Sequence, residues 1–289
     1  MFDAKLRTLI TENFPRGHVV AFTGAGISHE SGIPTFRGAG GLWERYEPEL
    51  FATPDGLAKV ARDTPGKMRD FLLELYAILL KAQPNPAHTA LARMEEAGLL
   101  DGVVTQNVDD LHQRAGSRTV AEVHGNCFRV RCGACSRSLR YESARIAEFV
   151  ALLEGLPAGA ECGAGLRGLK DKFLPRCKCG GHFRTDVVLF GEGLPSEAFE
   201  KAQALIDGCS VLLIVGSSLT VYPAASFPQR AKERGAVLIE VNREPSGQSS
   251  LCDFHAFGKA AEIIPEIAAL VKTRTTSGPA SEFLDRTRI

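Results

Sequence analysis

Four of the chain's eight cysteines have the spacing of a metal site. Cys132-Gly133-Ala134-Cys135 is a two-spacer knuckle, and Cys177-Lys178-Cys179 adds a tighter pair about 40 residues on. Two thiolate pairs suit tetrahedral zinc with no open position, which is a structural site and not a catalytic one. Cys162 and Cys127 compete for one ligand position; with Cys209 and Cys252 they otherwise read as ordinary thiols. A second constellation opens the chain: apolar Val19 to Phe22, then Thr23-Gly24-Ala25-Gly26-Ile27-Ser28. The run reads as a buried strand, and the glycines let the backbone turn tightly and approach a ligand. The free N–H groups of a following helix suit a phosphate. The third glycine of a dinucleotide fingerprint is replaced by His29, so the corner alone also fits a strand–turn–helix without ligand. Beyond it, Gly32, Pro34, Gly38, Gly40 and Gly41 are loop chemistry, a flap carrying Phe36, Arg37 and Trp43 beside the corner.

These groups need elements to hold them. Gly102–Thr105, Val211–Gly216 and Val237–Asn242 repeat the apolar strand pattern, with helices expected over 3–14, Ala198–Ile206 and Ala224–Arg234. Phe71, Leu72, Leu75 and Leu79 share a helical face, and Pro84-Asn85-Pro86 breaks that helix before another begins. Apolar strands alternating with helices predict an α/β fold, a Rossmann-like parallel sheet with helices on both faces. To this sheet the pattern adds a small inserted zinc-ribbon module and a helical insertion. In such sheets ligands bind beyond the carboxyl ends of the strands, where Gly24, Gln106, Gly216 and Asn242 all stand. The expected division is a discontinuous sheet domain (1–38, 101–130 and 186–272), a flap and helical module (39–100), a zinc module (131–185) and a disordered tail (273–289). The stretch between the cysteine pairs, with Gly155, Gly159, Gly163 and Gly165, reads as a surface loop poor in apolar residues.

Composition narrows the function classes. The 289 residues carry 34 Lys+Arg and 34 Asp+Glu, a net charge of zero. That argues against bulk attraction to nucleic acid or to an anionic membrane. The best apolar run, Val211–Val215, is strand-sized and far short of a membrane span. Asp3 and the absence of an apolar leader core lead to the expectation of a cytoplasmic protein without a disulfide framework.

The motifs, taken in order, resemble the sirtuin family. They are Gly24-Ala25-Gly26-Ile27-Ser28, Gly32 to Arg37, Thr105-Gln106-Asn107-Val108-Asp109-Asp110-Leu111-His112, Val123-His124-Gly125, the cysteine pairs, Val187 to Glu192, Gly216-Ser217-Ser218 and Val241-Asn242. The chain is identified as a member of that family, of the bacterial type. The resemblance implies a reaction that consumes NAD and strips an acyl group from lysine, yielding nicotinamide and O-acyl-ADP-ribose. His124 falls at the general base, a role that suits a side chain whose ordinary pKa lies near working pH. Gln106, Asn107 and Asp109 fall where nicotinamide and its ribose are held, with Asn107 and Asp109 joining His124 in the catalytic set; helix capping is the alternative role for both. Gly24, Ala25, Gly26 and Ser28 fall on the phosphate corner, Phe36 and Arg37 on the flap, Gly216, Ser217 and Ser218 on a second phosphate or ribose contact, and Asn242 and Arg243 on the adenosine end. Thr35 stands where relatives often carry Asp, which leaves it outside the catalytic set.

The same resemblance places a peptide strand along Val187, Val188, Phe190, Gly191 and Glu192, so the implied partners are acyl-lysine proteins or peptides. Relatives that take succinyl or malonyl groups carry Tyr and Arg three apart in the helix before the Pro-Asn break. Those positions fall on Leu72 and Leu75, and no Arg or Lys lies between Arg69 and Lys81. A charged acyl tip in an apolar tunnel costs several kcal/mol, so an uncharged acyl group is expected. Hydrolysis of NAD or ADP-ribose transfer on the same site is the alternative reading, and a non-catalytic NAD-sensing module is the third. The implied cofactors are NAD as cosubstrate and one structural zinc.

Overall fold

The computed structural model describes residues 2–15, 17–35 and 40–271; the expectations for Phe36, Arg37 and the tail lie outside the described residues. Two sheets organise the chain. The larger contains β1 (Val19–Thr23), β2 (Gly102–Thr105) and β3 (Val120–Glu122). The smaller contains β4 (Gly125–Cys132), β5 (Ser138–Arg140) and β6 (Phe183–Val187). The larger is completed by β7 (Val211–Val215), β8 (Val237–Asn242) and β9 (Phe254–Phe257). Its order is β3-β2-β1-β7-β8-β9, and every pairing is parallel.

Strand alternation explains the two-sided covering. Val19 and Ala21 join one core with Leu213, Val215, Ile239 and Val241. That face is covered by α1 (Ala4–Asn13) and by two further helices taken up below. Val20 and Phe22 point the other way, into a second core with Leu212, Ile214 and Leu238. Strands buried on both faces must be apolar at every position, which is why these runs are legible in the sequence.

Between β1 and β2 the chain builds α2 (Pro48–Phe51), α3 (Pro54–Asp63), α4 (Pro65–Lys81) and α5 (Pro86–Glu96). Helix α5 starts at a capping box in which Asn85 and His88 serve each other's backbone. Helix α6 (Leu111–Ala115) follows β2. The interval between the cysteine pairs is not a loop, contrary to expectation. It folds into α7 (Ser143–Glu154), a short 3-10 turn at Gly159–Cys162, and α8 (Gly163–Phe173). Ile146, Val150 and Leu153, then Leu169 and Phe173, are buried at helical spacing, and this apolar periodicity outweighs the glycines around it. The remaining helices are α9 (Ser196–Gly208), α10 (Phe227–Glu233) and α11 (Ala260–Leu270). Helices α5 and α11 share the first core with α1, while α9 and α10 cover the second. Among the described residues no helix is long and apolar enough to cross a membrane.

The order of the large sheet reverses direction at β1 and β7, the place where an open parallel sheet leaves a crevice at its carboxyl edge. The small sheet leaves and rejoins the chain beside that crevice: β4 begins one residue after His124, and β6 ends one residue before Val188.

Candidate active site

The glycines after β1 have a more immediate cause than ligand approach. The N–H of Gly26 donates to the Gly216 carbonyl at 2.8 Å, and a Cβ on Gly26 would lie 2.6 Å from the Gly216 Cα. Two loops from the reversal point therefore cross with no room for side chains, and Gly216 itself sits at φ +63. The helix expected next is a seven-residue 3-10 segment, Ala25–Ser31, which ends on Gly32.

Behind this corner lies a buried polar cluster. Ser28 Oγ donates to Asp109 Oδ2 at 2.6 Å, and Asn107 Nδ2 donates to Ser28 Oγ at 3.1 Å. The Leu111 N–H donates to Asp109 Oδ1 at 3.0 Å, so the Asp109 carboxylate also ties down the start of α6, whose N-cap is Asp110. Burial pushes the Asp109 carboxyl above its ordinary range, opposed by the Ser28 and Leu111 donors. Thr23 Oγ1 donates to Thr105 Oγ1 at 2.8 Å and lies 2.9 Å from His112 Nε2. The His88 and His112 rings meet edge-on at 4.9 Å, and burial lowers His88 to about 4 and His112 well below 6.5.

His124 stands between the two sheets. Its Nδ1 lies 3.1 Å from the Gln106 carbonyl oxygen. A carbonyl only accepts, so Nδ1 carries the proton and Nε2 is the basic nitrogen. Burial lowers the pKa of His124, with the Gln106 bond opposing, so Nε2 stays unprotonated at neutral pH. The next residue, Gly125, has φ +80, and a Cβ there would lie 1.8 Å from the Asp186 carbonyl oxygen, so no other residue fits between β4 and β6. On the far side the Val188 N–H donates to the His124 carbonyl at 2.9 Å.

A cleft of about 1510 Å³ runs along this edge. Gly24, Ala25, Gly26, Gln106, Asn107 and His124 line it from the large sheet's first half, and Gly216, Ser217, Ser218, Asn242 and Arg243 from its second. Gln106 Nε2 donates to Ser217 Oγ at 2.8 Å, joining the halves. Val187, Val188, Phe190, Gly191 and Glu192 line it from the end of β6, with Phe190 41% exposed. Leu72 and Leu75, half-buried on α4, complete the expected set. Asp109 instead borders a side cavity of about 40 Å³, which it shares with Ala25, Pro34 and Asn107, and Ser28 lies behind both. Glu192 lines the cleft but is engaged locally: it pairs with Arg184 and accepts from the Leu189 N–H at 2.9 Å, so it shapes the turn. Arg243 pairs with Glu30 at 2.6 Å.

Three features escape the sequence analysis. Glu240, fully buried in β8, accepts from Asn242 Nδ2 at 2.8 Å and from the Ser246 N–H at 2.9 Å. Burial pushes Glu240 up, but the Ser246, Ser249 and Asn242 donors outweigh it and hold the carboxyl below its usual range. One acid inside an apolar strand was the available signal. The second feature is a pair of arginines on the small sheet. Arg129 reaches Glu122 at 2.8 Å, and Arg140 reaches Asp110 at 2.9 Å, so both clamp the small sheet onto carboxylates of the large one. The third is a set of cations outside α4: Arg62, Arg167 and Lys170, all exposed, also border the cleft.

The sulfurs of Cys132, Cys135, Cys177 and Cys179 lie within 4.8 Å of one another, with Cys132–Cys179 at 3.6 Å and Cys135–Cys177 at 3.7 Å. A zinc tetrahedron with 2.3 Å bonds requires sulfurs about 3.8 Å apart, so the four thiols fit that ion. Cys162 and Cys127 are buried elsewhere and take no part. A looser group, Glu240, Cys252 and His255, is closed by the chain itself, because Ser249 engages both the carboxylate and the imidazole.

This geometry has close counterparts. The Sir2 family model matches residues 24–223. The chain is 49% identical over 255 residues to the NAD-dependent protein deacylase of Thermococcus kodakarensis, covering 88% of this chain and 90% of that protein. It is 44% identical over 255 residues to the protein of the same description from Pyrococcus furiosus, covering 88% and 92%. A solved Sir2 homologue–NAD complex superposes with a TM-score of 0.73 at 40% identity, covering 93% of both chains. A structure described as Sir2-p53 peptide-NAD+ superposes with a TM-score of 0.70 at 31% identity, covering 93% of this chain and 98% of that one. The two deacylases are archaeal, so the expectation of a bacterial type is not borne out.

Proposed function

The chain belongs to the Sir2 family, and from that membership we infer that it is an NAD-dependent protein-lysine deacylase. Acyl-lysine, NAD and water would together give free lysine, nicotinamide and O-acyl-ADP-ribose. The observation that carries this reading is His124, its Nδ1 held on the Gln106 carbonyl at 3.1 Å between a small-residue cleft and the Val188 strand. That nitrogen pair lets Nε2 take a proton from a ribose hydroxyl while the ring stays oriented. Asn107 and Asp109 hold the nicotinamide end, backed by Ser28. Gly24 to Gly26, Gly216 to Ser218, Asn242 and Arg243 take the phosphates and adenosine. Val187 to Gly191 receive the acyl-lysine segment as an added strand. Cys132, Cys135, Cys177 and Cys179 hold the structural zinc. The lack of a nucleic-acid partner is also proposed, resting on the zero net charge.

The test is an acetyl-lysine peptide incubated with and without NAD, following peptide mass and nicotinamide together. Deacetylation only with NAD, and nicotinamide formed one for one, is the expected result. Nicotinamide release with the peptide intact moves the assignment to NAD hydrolysis or ADP-ribose transfer.

A further inference from the structure

Asp110 combines two costly states. It precedes α6 at φ 67 and ψ 7, the left-handed region that is disfavoured for a residue with a side chain and open to glycine. Its side chain is 1% exposed, yet it makes no capping bond to the helix it starts. The carboxylate is taken instead by Arg140 of β5, with Nη1 donating to Oδ1 at 2.9 Å and Nη2 donating to Oδ2. Asn126 Nδ2 donates to the same Oδ1 at 2.9 Å and also to Glu122, two residues before His124. Arg140 lines neither cavity; its side chain is half exposed and its guanidinium reaches inward to a buried acid. Without that cation the Asp110 carboxylate would keep Asn126 as its donor beside a second buried acid, Glu122, which is an unfavourable place for a charge. The relaxation open to it is to turn toward water and leave the left-handed region. The bond from the Leu111 N–H to Asp109 Oδ1 spans Asp110, so the Asp110 backbone sets its geometry.

We propose that Arg140 is a positioning residue for the nicotinamide end of the cleft. From the sheet that bears the four thiols it pins Asp110 in the left-handed conformation, and Asp110 in turn fixes how the Asp109 carboxylate meets Ser28 and, through Ser28, Asn107. This rests on the NAD reading above and adds to it a residue that touches no ligand. The Arg140–Asp110 pair thus acts on the large sheet's loop, and does more than tether the small sheet.

Calorimetric titration of the full chain with NAD, and with ADP-ribose, which lacks nicotinamide, tests this. Arg140→Ala is expected to weaken NAD about tenfold and ADP-ribose less than about twofold, since the misplaced groups face nicotinamide alone. Arg140→Lys keeps the charge, loses the fork and is expected to fall between the two. Asp110→Ala and Asp110→Gly remove the same carboxylate, but glycine alone takes the left-handed backbone freely. The first is therefore expected to behave like Arg140→Ala, and the second to bind NAD within about threefold of the native chain. Asp110→Gly added to Arg140→Ala is expected to restore NAD affinity to that same level. A mere tether would not be rescued in this way, because both substitutions remove it. Equal weakening of NAD and ADP-ribose by Arg140→Ala, or loss of hydrogen-exchange protection in β4 and β6, makes Arg140 a brace of the small sheet and overturns the inference. Identical behaviour of Asp110→Ala and Asp110→Gly overturns the backbone argument on which it stands. Unchanged NAD affinity in Arg140→Ala overturns it and leaves the deacylase reading standing. Failure of the native chain to bind NAD removes that reading, and the inference with it.

Discussion

The two sheets are held together by different physics. In the large one, β1 and β7 are buried at every position, and helices cover both faces. In the small one, β5 has two of its three residues exposed, β6 is mostly half-buried, and four thiols gather at one end. The first sheet is stabilised by apolar surface removed from water on both faces; in the second only the central β4 is largely buried, and the four thiols are placed to hold an ion at its end. The division of labour follows. The end of the cleft lined by Gly24, Gly26 and Gly216 is built by loops of the large sheet. The end lined by Val187, Val188 and Phe190 is built by the segment that leaves β6 of the small sheet. His124 lies where they join, between β3 and β4.

Removing the metal breaks this comparison most severely. Structural zinc contributes on the order of 10 kcal/mol to the folding of a small site. With Cys177→Ala, amides of β4, β5 and β6 are expected to lose hydrogen-exchange protection, those of β1, β7 and β8 to keep theirs, and deacylation to fall at least about tenfold. ADP-ribose binding is expected to change less than about threefold. Equal loss of protection in both sheets would show them to be one cooperative unit.

The next largest effect sits at the seam. His124→Ala is expected to lower turnover by about 10²–10⁴-fold while ADP-ribose still binds, because a general base is lost and the large sheet is untouched. Loss of ADP-ribose affinity in parallel would make His124 a structural pin and not a base.

Acid sharpens the contrast with the smallest change. His88 and His112 lie in the large sheet's half, and burial keeps both neutral in the folded state, His88 down to about 4. Unfolded, each titrates near 6.5, so the unfolded chain binds more protons in this range and stability falls as pH drops. His88 alone predicts a loss of about 2 kcal/mol between about pH 7 and pH 5. Urea unfolding of the large sheet followed with zinc in excess would measure it. An unchanged midpoint at the lower pH would mean that the pair is solvated.

How far the sequence discloses this molecule follows the same line. Strands with both faces buried must be continuously apolar, so β1, β2, β7 and β8 are marked by composition alone. Strands β3 and β9 lie at the sheet's edges, carry Glu122 and His255, and escape notice. The cysteine spacing discloses the metal set, because zinc chemistry fixes ligand type and number. Helices α7 and α8 are hidden by Gly155 and Gly159 between them and by Gly163 and Gly165 in α8, although Ile146, Val150 and Leu153 keep a helical period. Pairs such as Arg140–Asp110 and Arg129–Asp186 leave no local trace, since each joins residues far apart in sequence. The role of His124 reaches the sequence reading only through a family resemblance; composition does not separate it from His112.

The reversal at β1 and β7 also has a cost in time. The His18 backbone meets Ser210, 192 positions later, before β1 can pair with β7 residue by residue. At about 5–20 residues per second, a ribosome needs roughly 10–40 s to cover that interval. Until β2 (Gly102–Thr105) is made β1 has no partner, and from then until β7 it can pair on that side only, so its other edge, from Val19 to Thr23, is an open, apolar template for another chain. Production of this protein in a cell is therefore expected to depend on what shelters a nascent edge strand, more than on the stability of the finished sheet.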